Sequence, residues 1–143
     1  MRPVLLLICL FGLCATAPPP SATATLLLRV ENIRSDHGSL WVGVYTSEED
    51  FLDRERARLL RVPVTATGST RVAVDDLTPG ARYAIAVFHD ENDNGELDTN
   101  FLGLPAEPYA LSRPLRSWFR RPRFDEMSFV FRPREGLSPL RLQ

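Results

Sequence analysis

The chain of 143 residues contains no lysine. All 17 of its basic side chains are arginine, which excludes Schiff-base and other lysine-dependent catalysis. Cysteine is almost as scarce, with Cys9 and Cys14 confined to the N-terminal apolar segment. If that segment is removed, the rest of the chain has no disulfide, no thiolate metal site and no cysteine nucleophile. An excess of either charge is also missing. A formal net charge of -1 provides no field to attract nucleic acid or an anionic membrane. The apolar run Val4 to Ala15 is too short to span a bilayer. No nucleophile elbow, zinc-protease helix or phosphate-cradling loop is present.

That apolar run follows Arg2 and precedes a stretch of proline and small residues, the pattern of a secretory signal peptide. Ala15-Thr16-Ala17 and Ala22-Thr23-Ala24 both offer small-x-small cleavage sites. Pro18 would be the new N-terminus after the first, which disfavours it. The expected organisation is a signal peptide over 1–24 and a single domain over 25–143, located in the periplasm or secreted from a bacterium.

Within that domain hydrophobic residues alternate. Leu26, Leu28 and Val30 point one way and Leu27, Arg29 and Glu31 the other. After Asp36-His37-Gly38 the same holds for Leu40, Val42 and Val44 against Trp41, Gly43 and Tyr45, so a hairpin is expected here. Ser47 before Glu48, Glu49 and Asp50 suggests a helix N-cap, with Phe51, Leu52, Leu59 and Leu60 facing a core. Further strands are expected at 60–66, 71–75, 83–89 and 127–132, and a weaker one near Leu140. The reading is an all-β fold, a single immunoglobulin-like or fibronectin-like two-sheet sandwich of about seven strands with a long loop and one short helix. Leu77-Thr78-Pro79-Gly80-Ala81-Arg82-Tyr83 fits a tyrosine corner. The strand that Tyr83 opens is apolar on both faces and should be central.

The strand leads into His89-Asp90-Glu91-Asn92-Asp93-Asn94-Gly95-Glu96-Leu97-Asp98. A calcium loop of the EF-hand kind takes oxygen ligands at its first, third and fifth positions, turns at a glycine in the sixth, then uses a backbone carbonyl and a ninth-position ligand. Asp90, Asn92, Asn94, Gly95, Glu96 and Asp98 occupy those places. The closing position holds Phe101, so Glu107, held extended between Pro105 and Pro108, is the candidate for the missing carboxylate. The expected metal ligands are Asp90, Asn92, Asn94, Glu96, Asp98 and Glu107, around a structural Ca²⁺. The competing reading is a metal-free turn rich in Asp and Asn, whose side chains bond local backbone.

Between Asp98 and Phe124 no regular element is expected. A loop of that length is often functional. Its Arg113, Arg116, Arg120, Arg121 and Arg123 are interleaved with Trp118 and Phe119, a composition suited to an anionic or sugar partner. The three blocks from His89 to Asp98, Gly103 to Tyr109 with Ser112, and Pro122 to Glu126 resemble the DUF2141 family of exported bacterial proteins. The similarity spans essentially the whole chain after the leader. It departs at Ala110, where the family tends to have glycine, and in the arginine-rich insert. The resemblance implies export and a β-sandwich and carries no activity.

Function is accordingly expected to be non-catalytic, an exported domain with a calcium-holding loop. An alternative is a cell-envelope binding module for a glycan or protein, using the long loop and the aromatic residues Trp41, Tyr45, Trp118 and Phe119. A further alternative is a hydrolase assembled from His89, Glu107 and Ser112. No nucleic-acid partner is expected.

Overall fold

The computed structural model describes residues 22–115, 120–135 and 139–143. Residues 1–21, which hold both cysteines and most of the expected signal peptide, and Arg116, Trp118 and Phe119 of the arginine-rich segment, lie outside the described residues.

Eight strands and one short helix follow in the order β1 (Ala24–Ile33), β2 (Ser39–Tyr45), β3 (Arg58–Pro63), β4 (Gly68–Leu77), β5 (Arg82–Asp90), β6 (Tyr109–Leu111), α1 (Phe124–Met127), β7 (Phe129–Val130) and β8 (Leu140–Arg141). They form a β-sandwich. One sheet runs β4-β1-β8; the other runs β3-β2-β5-β6, with β7 also paired to β5. Period-two alternation places the core between them. Leu26, Leu28 and Val30 of β1 and Val72 and Val74 of β4 meet Leu40, Val42 and Val44 of β2 and Ile85 and Val87 of β5, and Phe131, Leu140 and Leu142 complete the cluster.

Three sequence expectations are corrected. β1 and β2 do not form a hairpin, because they belong to different sheets and the turn at 34–38 carries the chain across the sandwich. Gly38 makes that crossing possible: its φ is +78°, and a Cβ there would lie 2.1 Å from the carbonyl oxygen of Asp90. Ser47 starts turns and no helix; its hydroxyl donates to the Asp50 carboxylate and accepts from the Asp50 N–H, closing a tight bend. Leu59 and Leu60 then lie on β3. The short helix sits instead at Phe124–Met127, where the Glu126 carboxylate accepts from the Arg123 N–H. The long segment after Asp98 is not structureless either. Its β6 pairs with β5 through Ala86↔Leu111, Val87↔Ala110 and Phe88↔Tyr109.

β5 is central, as its two apolar faces require. β2 pairs along one edge. On the other edge β7 covers Arg82 and Tyr83, and β6 covers Ala86 to Phe88. The tyrosine corner is present: the Thr78 N–H donates to the Tyr83 hydroxyl at 2.9 Å, and the ring meets Phe131 edge-on. Replacing Tyr83→Phe removes one neutral hydrogen bond from a partly buried N–H. The expected cost is about 1–2 kcal/mol in a denaturant titration with an unchanged m-value; an unaltered midpoint would show that the corner contributes nothing.

Candidate functional site

Two adjoining features stand on the outer side of the five-stranded sheet: the acidic loop at the end of β5, and a groove across the strands beneath it.

The loop is built on Asp90, which is fully buried. One of its carboxylate oxygens accepts from the Asn94 N–H at 3.1 Å. The other accepts from the Gly95 N–H at 2.8 Å and from the Trp41 indole N–H at 3.0 Å. A buried carboxylate is tolerable only with donors of this kind. Asn92 and Asn94 each cap a local turn, accepting from the N–H two residues on, at 3.0 and 2.7 Å. Asp93 and Gly95 supply the positive φ values, +57° and +81°, that the reversal needs.

Asn92 and Asn94 also converge on one carboxylate, donating their side-chain amides to the two oxygens of Asp98 at 2.7 and 3.1 Å. Glu107 does return to the loop, and it returns to its backbone: its two oxygens accept from the N–H groups of Glu91 and Asp98 at 3.0 and 3.2 Å. Burial, with Asp90 and Asp98 nearby, raises its carboxyl above the ordinary range although those two N–H groups pull the other way. Glu96 is exposed, and no described hydrogen bond draws its carboxylate toward the others. Among the described residues no group of three or more His, Cys, Asp or Glu side chains is disposed to hold a metal. The convergent set is one carboxylate and two amides. Phe101 does not close the shell. The chain turns back at Thr99↔Pro105 into a small hairpin capped by the Asn100 side chain, leaving Phe101 94% exposed at its tip.

His89 faces the core end of β5. Its Nε2 lies 2.8 Å from the His37 carbonyl, so that nitrogen carries the proton, while Nδ1 is buried without a hydrogen-bond partner and 3.8 Å from a Glu91 oxygen. Ser112 is pinned elsewhere: its hydroxyl donates to the Met127 carbonyl at 2.6 Å and accepts from the Ile85 N–H at 3.0 Å. The pairing places it opposite Ile85, four residues along β5 from His89, or roughly 13 Å at strand spacing. His89, Glu107 and Ser112 do not assemble into a nucleophile and its base.

The groove follows from register. Arg61, Trp41, Phe88 and Tyr109 lie side by side on β3, β2, β5 and β6, forming a ridge across the sheet. The next outward row is Leu59, Gly43, Ala86 and Leu111. Two of these four have little or no side chain, so the row is a trough. Beyond it, Tyr45 and Ala84 are covered by Phe51 and Met127 in a second small core, with Leu52, Ala57 and Phe124 packed against it. Gly43 is needed because the Tyr45 ring leans over it; a Cβ would fall 2.7 Å from the phenol oxygen. The resulting cleft encloses about 1400 Å³, and Leu97, Leu104 and Pro105 of the long loop form one wall. Trp41 thus stays half exposed while Tyr45 is buried. Nothing in the local sequence signals the trough, since it exists only when four strands align.

Asp90→Ala should cost about 3 kcal/mol with or without added metal, because three N–H donors lose a charged acceptor; chemical denaturation with and without EGTA reads this directly. For Glu107→Gln, a loss of about 1 kcal/mol at pH 7 is expected, with faster amide exchange at Glu91 and Asp98. Its raised carboxyl means that the folded state holds the proton more tightly than the unfolded chain. The wild type should therefore gain stability relative to Glu107→Gln as pH falls through the carboxylate range. A constant difference between the two from pH 7 to pH 4 would contradict this environment for Glu107.

No curated protein and no solved structure matches the chain. A family model, described as an uncharacterized protein conserved in bacteria, matches residues 28–136. Over that span, which holds the five-stranded sheet, the acidic loop and the groove, the chain belongs to the DUF2141 family.

Proposed function

We propose that this protein is an exported, non-catalytic binding domain whose ligand lies in the groove across the outer face of the five-stranded sheet. The observation that carries this reading is the trough itself, an open cleft of about 1400 Å³ between an aromatic ridge and a second core. Binding clefts are concave and mostly apolar, with a few polar groups set on rigid elements. Here the floor is sheet, and one wall is the long loop, tied to the sheet through Asp90 and Glu107. Export is supported by the N-terminal segment, in which an apolar run follows Arg2 and precedes small residues and proline.

A second reading concerns the loop. Asn92 and Asn94 meet the Asp98 carboxylate through their amide NH2 groups, and rotation of those amides to present oxygen would give a Ca²⁺ site of three side chains, with Asp90 and Glu107 as its scaffold. Such a shell is short of oxygens, so weak affinity of the extracellular type, about 10⁻⁴ M, is expected. The bound ion would hold the groove wall.

The groove is tested with a neutral apolar dye such as Nile red. One saturable site is expected in the wild type and in Leu27→Asp, which alters the opposite, exposed face, and none in Ala86→Trp, which fills the trough. Equal dye binding by a folded Ala86→Trp variant would refute the groove reading. For the loop, the thermal midpoint is followed in EGTA and then in calcium, with magnesium as control. At about a hundredfold excess over the dissociation constant the stabilisation should approach 2.7 kcal/mol. It should vanish in Asp98→Asn, and no calcium-selective shift at 10 mM would remove the metal from the proposal.

A further inference from the structure

The groove is apolar along its floor and carries charged side chains on its rim, among them Arg54, Arg121, Glu55 and Glu96. Leu59, Ala86 and Leu111 line the trough, and the Tyr45 hydroxyl sits over Gly43 at its edge. Tyr45 is itself buried to within 6%, and its phenol oxygen lies against Gly43 at the edge of the otherwise apolar floor. At the end bounded by the turn after β2, Arg54 lies 4.5 Å over the Trp41 ring. Its guanidinium also approaches the acidic loop: a Cβ on Gly95 would come within 3.7 Å of it.

The arginines of this end differ in one respect. Arg120 is spent on Glu126, which it holds down to about 2. Arg61 is paired with Asp93 at 2.9 Å. Arg54 forms no ion pair among the described residues, and Arg121, which lines the same wall, gives its N–H to the Phe51 carbonyl and to no carboxylate. Arg54 and Arg121 thus line the apolar cleft without an ion pair among the described residues, while Glu55 and Glu96 line other parts of it. The Arg54 guanidinium lies over the Trp41 indole in a cation–π contact, an interaction that leaves nitrogen donors for another partner.

We infer that the groove binds an anionic amphiphile, an acyl carboxylate whose chain lies along the Leu59–Gly43–Ala86–Leu111 row and whose head group meets Arg54 and Arg121. This rests on the groove being the binding site and adds the class of ligand. The row crosses four strands, about 14 Å at the spacing of a sheet, so the channel suits an extended chain better than a compact ring. Burial of the chain supplies affinity without direction. Orientation comes from the guanidinium pair, because a carboxylate accepts a forked donor in one geometry. The Tyr45 hydroxyl remains a neutral donor beside the chain's first carbons, since burial pushes the phenol up.

The test uses the full chain purified without detergent, ¹⁵N-labelled, with dodecanoate as the probe and dodecyl maltoside, the same chain on a neutral head, as its control. Both are kept below their micelle concentrations. Dodecanoate is expected to shift the Trp41 indole N–H and the backbone amides of Ala86 and Leu111 saturably, while Leu27 on the far sheet stays still. Arg54→Gln, an outward substitution that leaves the strands intact, should weaken dodecanoate about tenfold and leave the maltoside unchanged. If the maltoside binds the same residues as tightly, or Arg54→Gln has no effect, the anionic class is wrong while the groove stands. If neither probe shifts the groove at millimolar concentration and Nile red does not bind, the groove reading fails with it. Shifts confined to Leu27 or Val130 would relocate the site and overturn the inference.

Discussion

Burial of β5 on both of its faces is the constraint on which the rest of this protein depends. Its inner side chains, Tyr83, Ile85, Val87 and His89, close the main core, and its outer ones, Ala84 and Ala86, floor the second. A strand so enclosed has no water to satisfy its backbone, so both edges must be paired, by β2 on one side and by β6 and β7 in turn on the other. Each end then carries a fixed polar group. At one the Tyr83 hydroxyl takes the Thr78 N–H; at the other the Asp90 carboxylate takes three donors from the loop and from β2.

The acidic loop is therefore an extension of the sheet. Its negative charge is handled by N–H groups at Asp90 and Glu107 and by side-chain amides at Asp98, which lets several carboxylates sit close together. Rigidity at this point matters to the groove, because the same segment continues into the hairpin that supplies one wall. A loosened loop would widen the cleft before it unfolded the sandwich.

An exposed apolar strip across a sheet is a liability unless something covers it. On this face half the strip is covered, by Phe51, Met127 and Phe124, and half is bordered by Trp41, Phe88 and Tyr109. The cover stops where the small residues Gly43 and Ala86 begin. Arg54 and Arg121, which form no ion pair among the described residues, stand with Glu55 and Glu96 around that opening and add charged groups of defined position to its apolar floor.

Much of this was legible in the residue order, for a physical reason. Alternation is a local property of an extended chain, so the inner and outer faces of β1, β2 and β5, the tyrosine corner and the central place of β5 follow from neighbours two residues apart. The spacing of the loop is local too: Asn92 and Asn94 meet Asp98, while Asp90 takes backbone N–H groups and the Trp41 indole. Glu107 reaches the loop, yet it binds N–H groups, since the hairpin at Thr99 and Pro105 delivers it to the backbone side. Whether β1 and β2 pair or part was settled by which sheet each could complete, and Ser47 bends the chain because Asp50 is in reach of its hydroxyl. The groove had no local signature. Leu59, Gly43, Ala86 and Leu111 are scattered along the chain, and they become one trough only through the register of three strand pairings, which long-range hydrogen bonding and core packing decide.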